Sequence, residues 1–283
     1  MTAVSAEFAL EKAGQRRRLP PALIAGGSLL GVIVGLAIFA PLVTSYSPTT
    51  QDLTNILAGP SATHILGTDQ LGRDVWSRLV YGARTDLFVA FIAVISPFVL
   101  GTIAGALAGY FGRALDSVVM RTADVVVAFP FYVLVMLLVF LMGPGTISII
   151  IAITVVSWVS YARIVRGATL VAKNQEFVLA AKAEGFSTGR IIGRHVLPNV
   201  VTQAIVFATS DIVLDILAIV TLGYLGLGIP PPTPDWGEMM ASGQQFLTTH
   251  WELSTIPGIA VVLTGLGLSL LGDGLAEVLS VER

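Results

Sequence analysis

Two carboxylates, Asp211 and Asp215, lie within the apolar run 200–222, so on a helix they stand one turn apart on one face. Each ion costs about 3 kcal/mol at the centre of a bilayer, so that face must turn toward a partner helix or an aqueous path. A place on a substrate path and a structural hydrogen-bonding role both satisfy the spacing. Other chemistry is sparse. The histidines, His64, His195 and His250, are far apart in the chain. Neither His-Glu-x-x-His nor Gly-x-Ser-x-Gly occurs, so no metal site and no catalytic residue is assigned. No Gly-x-x-x-x-Gly-Lys-Ser/Thr phosphate loop occurs either, so no ATPase site is assigned to this chain. The lack of cysteine removes disulfides, cysteine-ligated zinc and iron–sulfur clusters.

The scaffold that must position these groups is set by composition. Of the 283 residues, 54% are hydrophobic and only 12% charged, and mean hydropathy is +0.83. A soluble domain carries roughly 25% charged residues. The chain therefore reads as an all-α, polytopic membrane protein, and a net charge of -2 gives no argument for nucleic acid. Six runs can cross a bilayer at ~20 residues each: 22–43, 87–111, 117–141, 147–168, 200–222 and 256–275. Arg16, Arg17 and Arg18 precede the first run, which is too long for a signal-peptide core and lacks a small-x-small cleavage site. All but three of the 16 Lys and Arg fall in loops on the side of the termini; the exceptions are Arg73, Arg78 and Arg84. The positive-inside rule then puts both termini and the 163–199 loop in the cytoplasm.

Within the runs, Gly27, Gly31 and Gly35, and likewise Gly101, Gly105 and Gly109, offer close-packing faces. Arg121 and Asp124, three apart in the third run, can neutralise each other, and Pro130 should kink that helix. Between the first two runs, Asp74, Trp76 and Arg78 suggest a short amphipathic helix at the membrane surface, its charges paired and its indole at the interface. Pro230, Pro231, Pro232 and Pro234 end the fifth helix.

One loop, from Asn174 to Asn199, mixes polar and apolar residues. Phe177, Ala180, Ala181 and Glu184 recur at helical spacing, giving a short helix with one small, mostly apolar face. Gly185 can take the left-handed conformation that ends it, and Ser187 can N-cap a second helix running toward Pro198. Ala180-Ala181, then Gly185, then Leu197-Pro198 resembles the cytoplasmic "EAA" coupling loop of ABC-importer permeases. Leu179 and His195 depart from the broad pattern, whereas Arg194-His195-x-Leu197-Pro198-Asn199 resembles its peptide-importer branch. The string from His64 to Arg78, with Tyr81 to Thr85, is similar to the first external segment of the "C" permease of dipeptide and oligopeptide importers. It departs at Asp86, where serine is common. Leu225 to Gly228, the prolines up to Trp236-Gly237, and Gly272 to Leu275 resemble the same family, but 276–283 does not.

The resemblance spans about 20–275 and implies a type I ABC importer permease fold of six transmembrane helices in a prokaryotic inner membrane. By that resemblance Phe177, Ala180, Ala181, Glu184, Gly185, His195, Leu197 and Pro198 form a hairpin that inserts into a separate ATPase subunit. It also implies a homologous second permease, two ATPase subunits and an external substrate-binding protein as partners. No cofactor is expected in this chain, since the ATPases hold ATP and Mg. The expected cargo is a di- or oligopeptide, with Asp211 and Asp215 as candidates for the path; related permeases carry nickel, glutathione or haem. A proton-coupled secondary transporter relaying through Asp211 and Asp215 is the alternative of a different class. The expected organisation is a cytoplasmic tail 1–21, a first transmembrane helix 22–43, an external segment 44–86, a five-helix core 87–275 containing the coupling loop 170–199, and a cytoplasmic tail 276–283.

Overall fold

The structure is a computed structural model that describes residues 19–281. The basic cluster at 16–18 and Arg283 lie outside the described residues. Proline in the first turn, whose missing N–H is free there, opens α1 (Pro21–Ile38), and one more turn, Ala40–Val43, follows. Asp74 then starts α2 (Val75–Phe111) by accepting the Ser77 N–H at 2.7 Å. A helix of that length is ~55 Å long, well beyond the ~30 Å hydrocarbon core. The short surface helix expected around Asp74 to Arg78 is thus the first turns of a long one.

Gly112, at φ +64, turns the chain into α3 (Arg113–Val127). Pro130 does more than kink the next span: α4 (Phe131–Met142) leaves α3 at 91°, so the single kinked helix expected over 117–141 is two short ones. Proline lacks a donor and bars its predecessor from helical backbone, which ends α3 outright. The remaining helices are α5 (Thr146–Ala172), α6 (Glu176–Ala183), α7 (Thr188–Tyr224), α8 (Trp236–Gly243) and α9 (Glu252–Val281). Among the described residues five helices are long and apolar enough to span a membrane, or six if α3 and α4 count as one broken span. α9 also takes in most of the segment after 275 that reads as a tail.

Gly101, Gly105 and Gly109 behave as expected, because a Cβ at each would collide with the α5 backbone at Trp158, Ala162 and Arg166. The first-helix stripe does not. Gly31 and Gly35 face open space, and Gly26 instead lies against Gly267 and Leu271 of α9. Neighbouring positions on a helix differ by about 100°, so an offset of one residue moves the packing face. The Arg121–Asp124 pair is likewise replaced: Asp124 pairs with Arg163 at 2.7 Å and Asp116 with Arg166, both linking α3 to α5. Large apolar side chains such as Leu42, Phe140, Ile147 and Val262 are exposed around the bundle, where hydrocarbon would cover them.

Two buried clusters hold the helices. One gathers Val75, Ile149, Ile219, Trp236, Met239 and Leu253 at the end that carries α8. The other gathers Tyr161, Val178, Ala181, Ile191, Val196 and Val200 at the opposite end of α5 and α7.

Candidate functional site

The second cluster seats the hairpin read from the sequence. α6 ends as its glycine predicts: Gly185 has φ +76, its N–H donates to Lys182 O at 3.0 Å, and the Phe186 N–H reaches back to Ala181 O at 3.1 Å. These two bonds close a left-handed C-cap. Ser187 stands at the next N-cap, although its side chain makes no capping bond. The second arm is no separate helix, since α7 runs on through a widened π-type turn at Ile192–Val196 into the long span. There the Leu197 N–H bonds back to Ile192 O, and Pro198, which has no N–H, follows without stopping the helix.

The structure divides the residues that the spacing had grouped. Phe177, Ala180 and Glu184 are exposed on one side of α6. Ala181, at 4% exposure, turns inward beside Val178. Ala181 is therefore part of the seat, and its neighbour Ala180 is part of the outward surface. Val178 was missed by the sequence reading; its i, i+3 spacing to Ala181 was the available signal. Phe186 is stacked against His195, with centroids 5.8 Å apart, and the Arg190 guanidinium lies 4.4 Å over the same ring. Lys173 Nζ donates to Gly109 O at 2.8 Å, tying the approach to α6 to the end of α2. Leu197 is half-buried, and Pro198 is exposed.

Deeper in the bundle, Asp211 accepts a hydrogen bond from the Tyr161 hydroxyl at 2.7 Å, while Asp215 Oδ2 has no hydrogen-bond partner among the described residues. Both carboxylates line a cavity of about 460 Å³ between α5, α7 and the α3–α4 break. One carboxylate thus has the structural bond, and both are among the residues that line the cavity.

At the far end, Arg78 is 2% exposed and does not pair with Asp74 as expected. Its Nη2 donates to Glu238 Oε2 at 2.6 Å, its Nη1 donates to Pro48 O at 3.3 Å, and its Nε lies 3.5 Å from Asp69. Asp69 is held in turn by Arg73 at 2.6 Å. Burial pushes the Glu238 carboxyl above its ordinary range, against the pull of the Arg78 guanidinium. The Trp76 indole donates to Val43 O at 3.1 Å, and the Trp236 indole to Leu79 O at 2.9 Å. Asp69 and Glu238 were not singled out in the sequence, because their partner Arg78 is distant from Glu238 in the chain.

The helix-and-hairpin arrangement has known counterparts. A family profile described as "Binding-protein-dependent transport system inner membrane component" matches residues 101–281, and one described as "N-terminal TM domain of oligopeptide transport permease C" matches 18–60. The dipeptide transport system permease protein DppC of Alkalihalophilus pseudofirmus is 41% identical over 256 residues, covering 90% of this chain and 84% of that protein. The oligopeptide transport system permease protein OppC of Bacillus subtilis is 38% identical over 252 residues, covering 89% and 82%. Among solved structures, an inward-facing MetNI methionine ABC transporter shares the fold with TM-score 0.55 at 20% identity, covering 69% of this chain and 93% of that one. An amino acid ABC transporter structure gives TM-score 0.53 at 14% identity. The chain is a multi-pass membrane protein and belongs to the family of binding-protein-dependent transport system inner membrane components.

Proposed function

We propose that this chain is the permease subunit of an ATP-driven importer of di- or oligopeptides, forming half of the transmembrane path beside a homologous second permease. Two ATPase subunits, which hold ATP and Mg, dock on the α6 hairpin, and an external binding protein delivers cargo at the α8 end. Both termini then lie in the cytoplasm of a prokaryotic cell. The observation that carries this reading is the hairpin itself. A short helix closed by a left-handed glycine and seated on a buried apolar cluster turns Phe177, Ala180 and Glu184 outward, where none of the described residues covers them. Exposed small and apolar residues on a rigid support are what a docking helix requires. The coupling residues are accordingly Phe177, Ala180, Glu184 and Gly185, seated by Ala181 and Leu197 and braced by His195 and Pro198. Kinship with dipeptide and oligopeptide permeases supports the cargo class.

Reconstituting the complex with its binding protein in proteoliposomes checks the reading. Labelled trialanine should accumulate only with ATP present and should do so equally with a protonophore. Uptake that needs no ATP and collapses with the protonophore would instead establish the proton-coupled alternative.

A further inference from the structure

We infer that the cavity beside Asp215 receives the ammonium group of the cargo, a primary amine such as a peptide's amino terminus, with Asp215 as its charge contact. The inference rests on the importer reading above. The cavity, about 460 Å³, falls within the roughly 300–1,000 Å³ of small-molecule sites. Phe129 and Tyr132 supply aromatic wall, Ser157 and Ser160 supply hydroxyls, and Asp211 and Asp215 are the acidic groups. Among the described residues no Lys or Arg lines it. Cargo entering here meets a negative site in an apolar surround, which attracts a cation and repels a carboxylate end.

The two carboxylates are not equivalent. Asp211 already accepts the Tyr161 hydroxyl at 2.7 Å, a bond that fixes it in place. Asp215 is 1% exposed, and its Oδ2 receives no donor from the described residues. A carboxylate oxygen left without a donor at that depth is costly. An ammonium group carries three donors and a positive charge, enough to engage Asp215 and still reach a serine hydroxyl. The site is complementary to a group that the chain itself does not supply.

The test uses the purified complex of both permeases and both ATPases, without binding protein, and measures binding of trialanine and N-acetyltrialanine by calorimetry. The two peptides differ only in the amine. The wild-type complex should bind trialanine about tenfold more tightly, the scale of one charge-assisted contact. Asp215→Asn should erase that preference, and Asp215→Glu should keep it. Should the Asp215→Asn complex not assemble, Ser160→Lys places an ammonium in the same cavity. That variant should bind trialanine no better than the acetylated peptide, because its own ammonium takes the Asp215 contact. The inference is overturned by undetectable trialanine binding, by equal binding of both peptides to wild type, or by a preference that survives in an assembled Asp215→Asn or Ser160→Lys complex. Failure of the importer reading is separately visible, because ATP-dependent trialanine uptake would then be absent even with the binding protein supplied.

Discussion

Replacing Arg78 with alanine should destabilise the α8 end of the protein by about 3–5 kcal/mol, the usual cost of removing one partner from a buried ion pair. Glu238 and Asp69 would lose their shared guanidinium, and the Pro48 carbonyl would lose a donor. The deficit should grow with pH, and the sign follows from Glu238. Its carboxyl lies above the ordinary 4.5 in the folded protein, chiefly through burial. Above 4.5 the folded state holds a proton that the unfolded state has released, so stability falls as pH rises through that window. Without Arg78 the folded value climbs further and the window widens upward. Thermal unfolding of Arg78→Ala and wild type in the same detergent, at pH 5 and pH 8, checks this. A deficit that is equal at both values, or larger at pH 5, contradicts the buried-pair account.

Gly185→Val should abolish coupling while leaving insertion intact. A Cβ at Gly185 meets no atom within 4 Å, so no collision is involved. The penalty comes from the backbone at φ +76, where an L-residue costs about 1–2 kcal/mol and a β-branched one is disfavoured further. The chain can relieve it by opening the cap and releasing the Phe186 N–H from Ala181 O, which swings the outward face of α6 away from its seat. Substrate-stimulated ATP hydrolysis by the purified complex should fall about tenfold or more, the scale set by such an energy. Normal stimulation in a fully assembled Gly185→Val complex would rule out a conformational role for this glycine.

Local features were legible in the sequence and distant ones were not. Gly185 announces its own backbone conformation, and the close packing of Gly101, Gly105 and Gly109 is a property of the residues themselves. Which face of α6 turns inward is not local, because helical spacing groups Ala180 with Ala181 but cannot say where the bundle lies. Arg78 has a carboxylate four residues away in Asp74, yet its partner is Glu238, brought close only when α8 packs on α2. In α1 the sequence offered Gly27, Gly31 and Gly35, and the α9 contact chose Gly26. Pro130 marked a disturbance but not its size, a 91° turn between α3 and α4. The same turn helps wall the cavity at Asp211 and Asp215, so the spacing of those two residues alone could not reveal it.

Thiol accessibility at the hairpin tests the docking surface most directly, since the chain has no cysteine of its own. Ala180→Cys and Ala181→Cys would be treated with a maleimide in the permease pair alone and in the complete complex, reading the label on this subunit. Ala180→Cys should react readily without the ATPases and be protected when they are bound. Ala181→Cys, buried against Val178 and its neighbours, should react slowly in both states. Labelling of Ala180→Cys at the same rate with and without bound ATPase subunits would contradict the account.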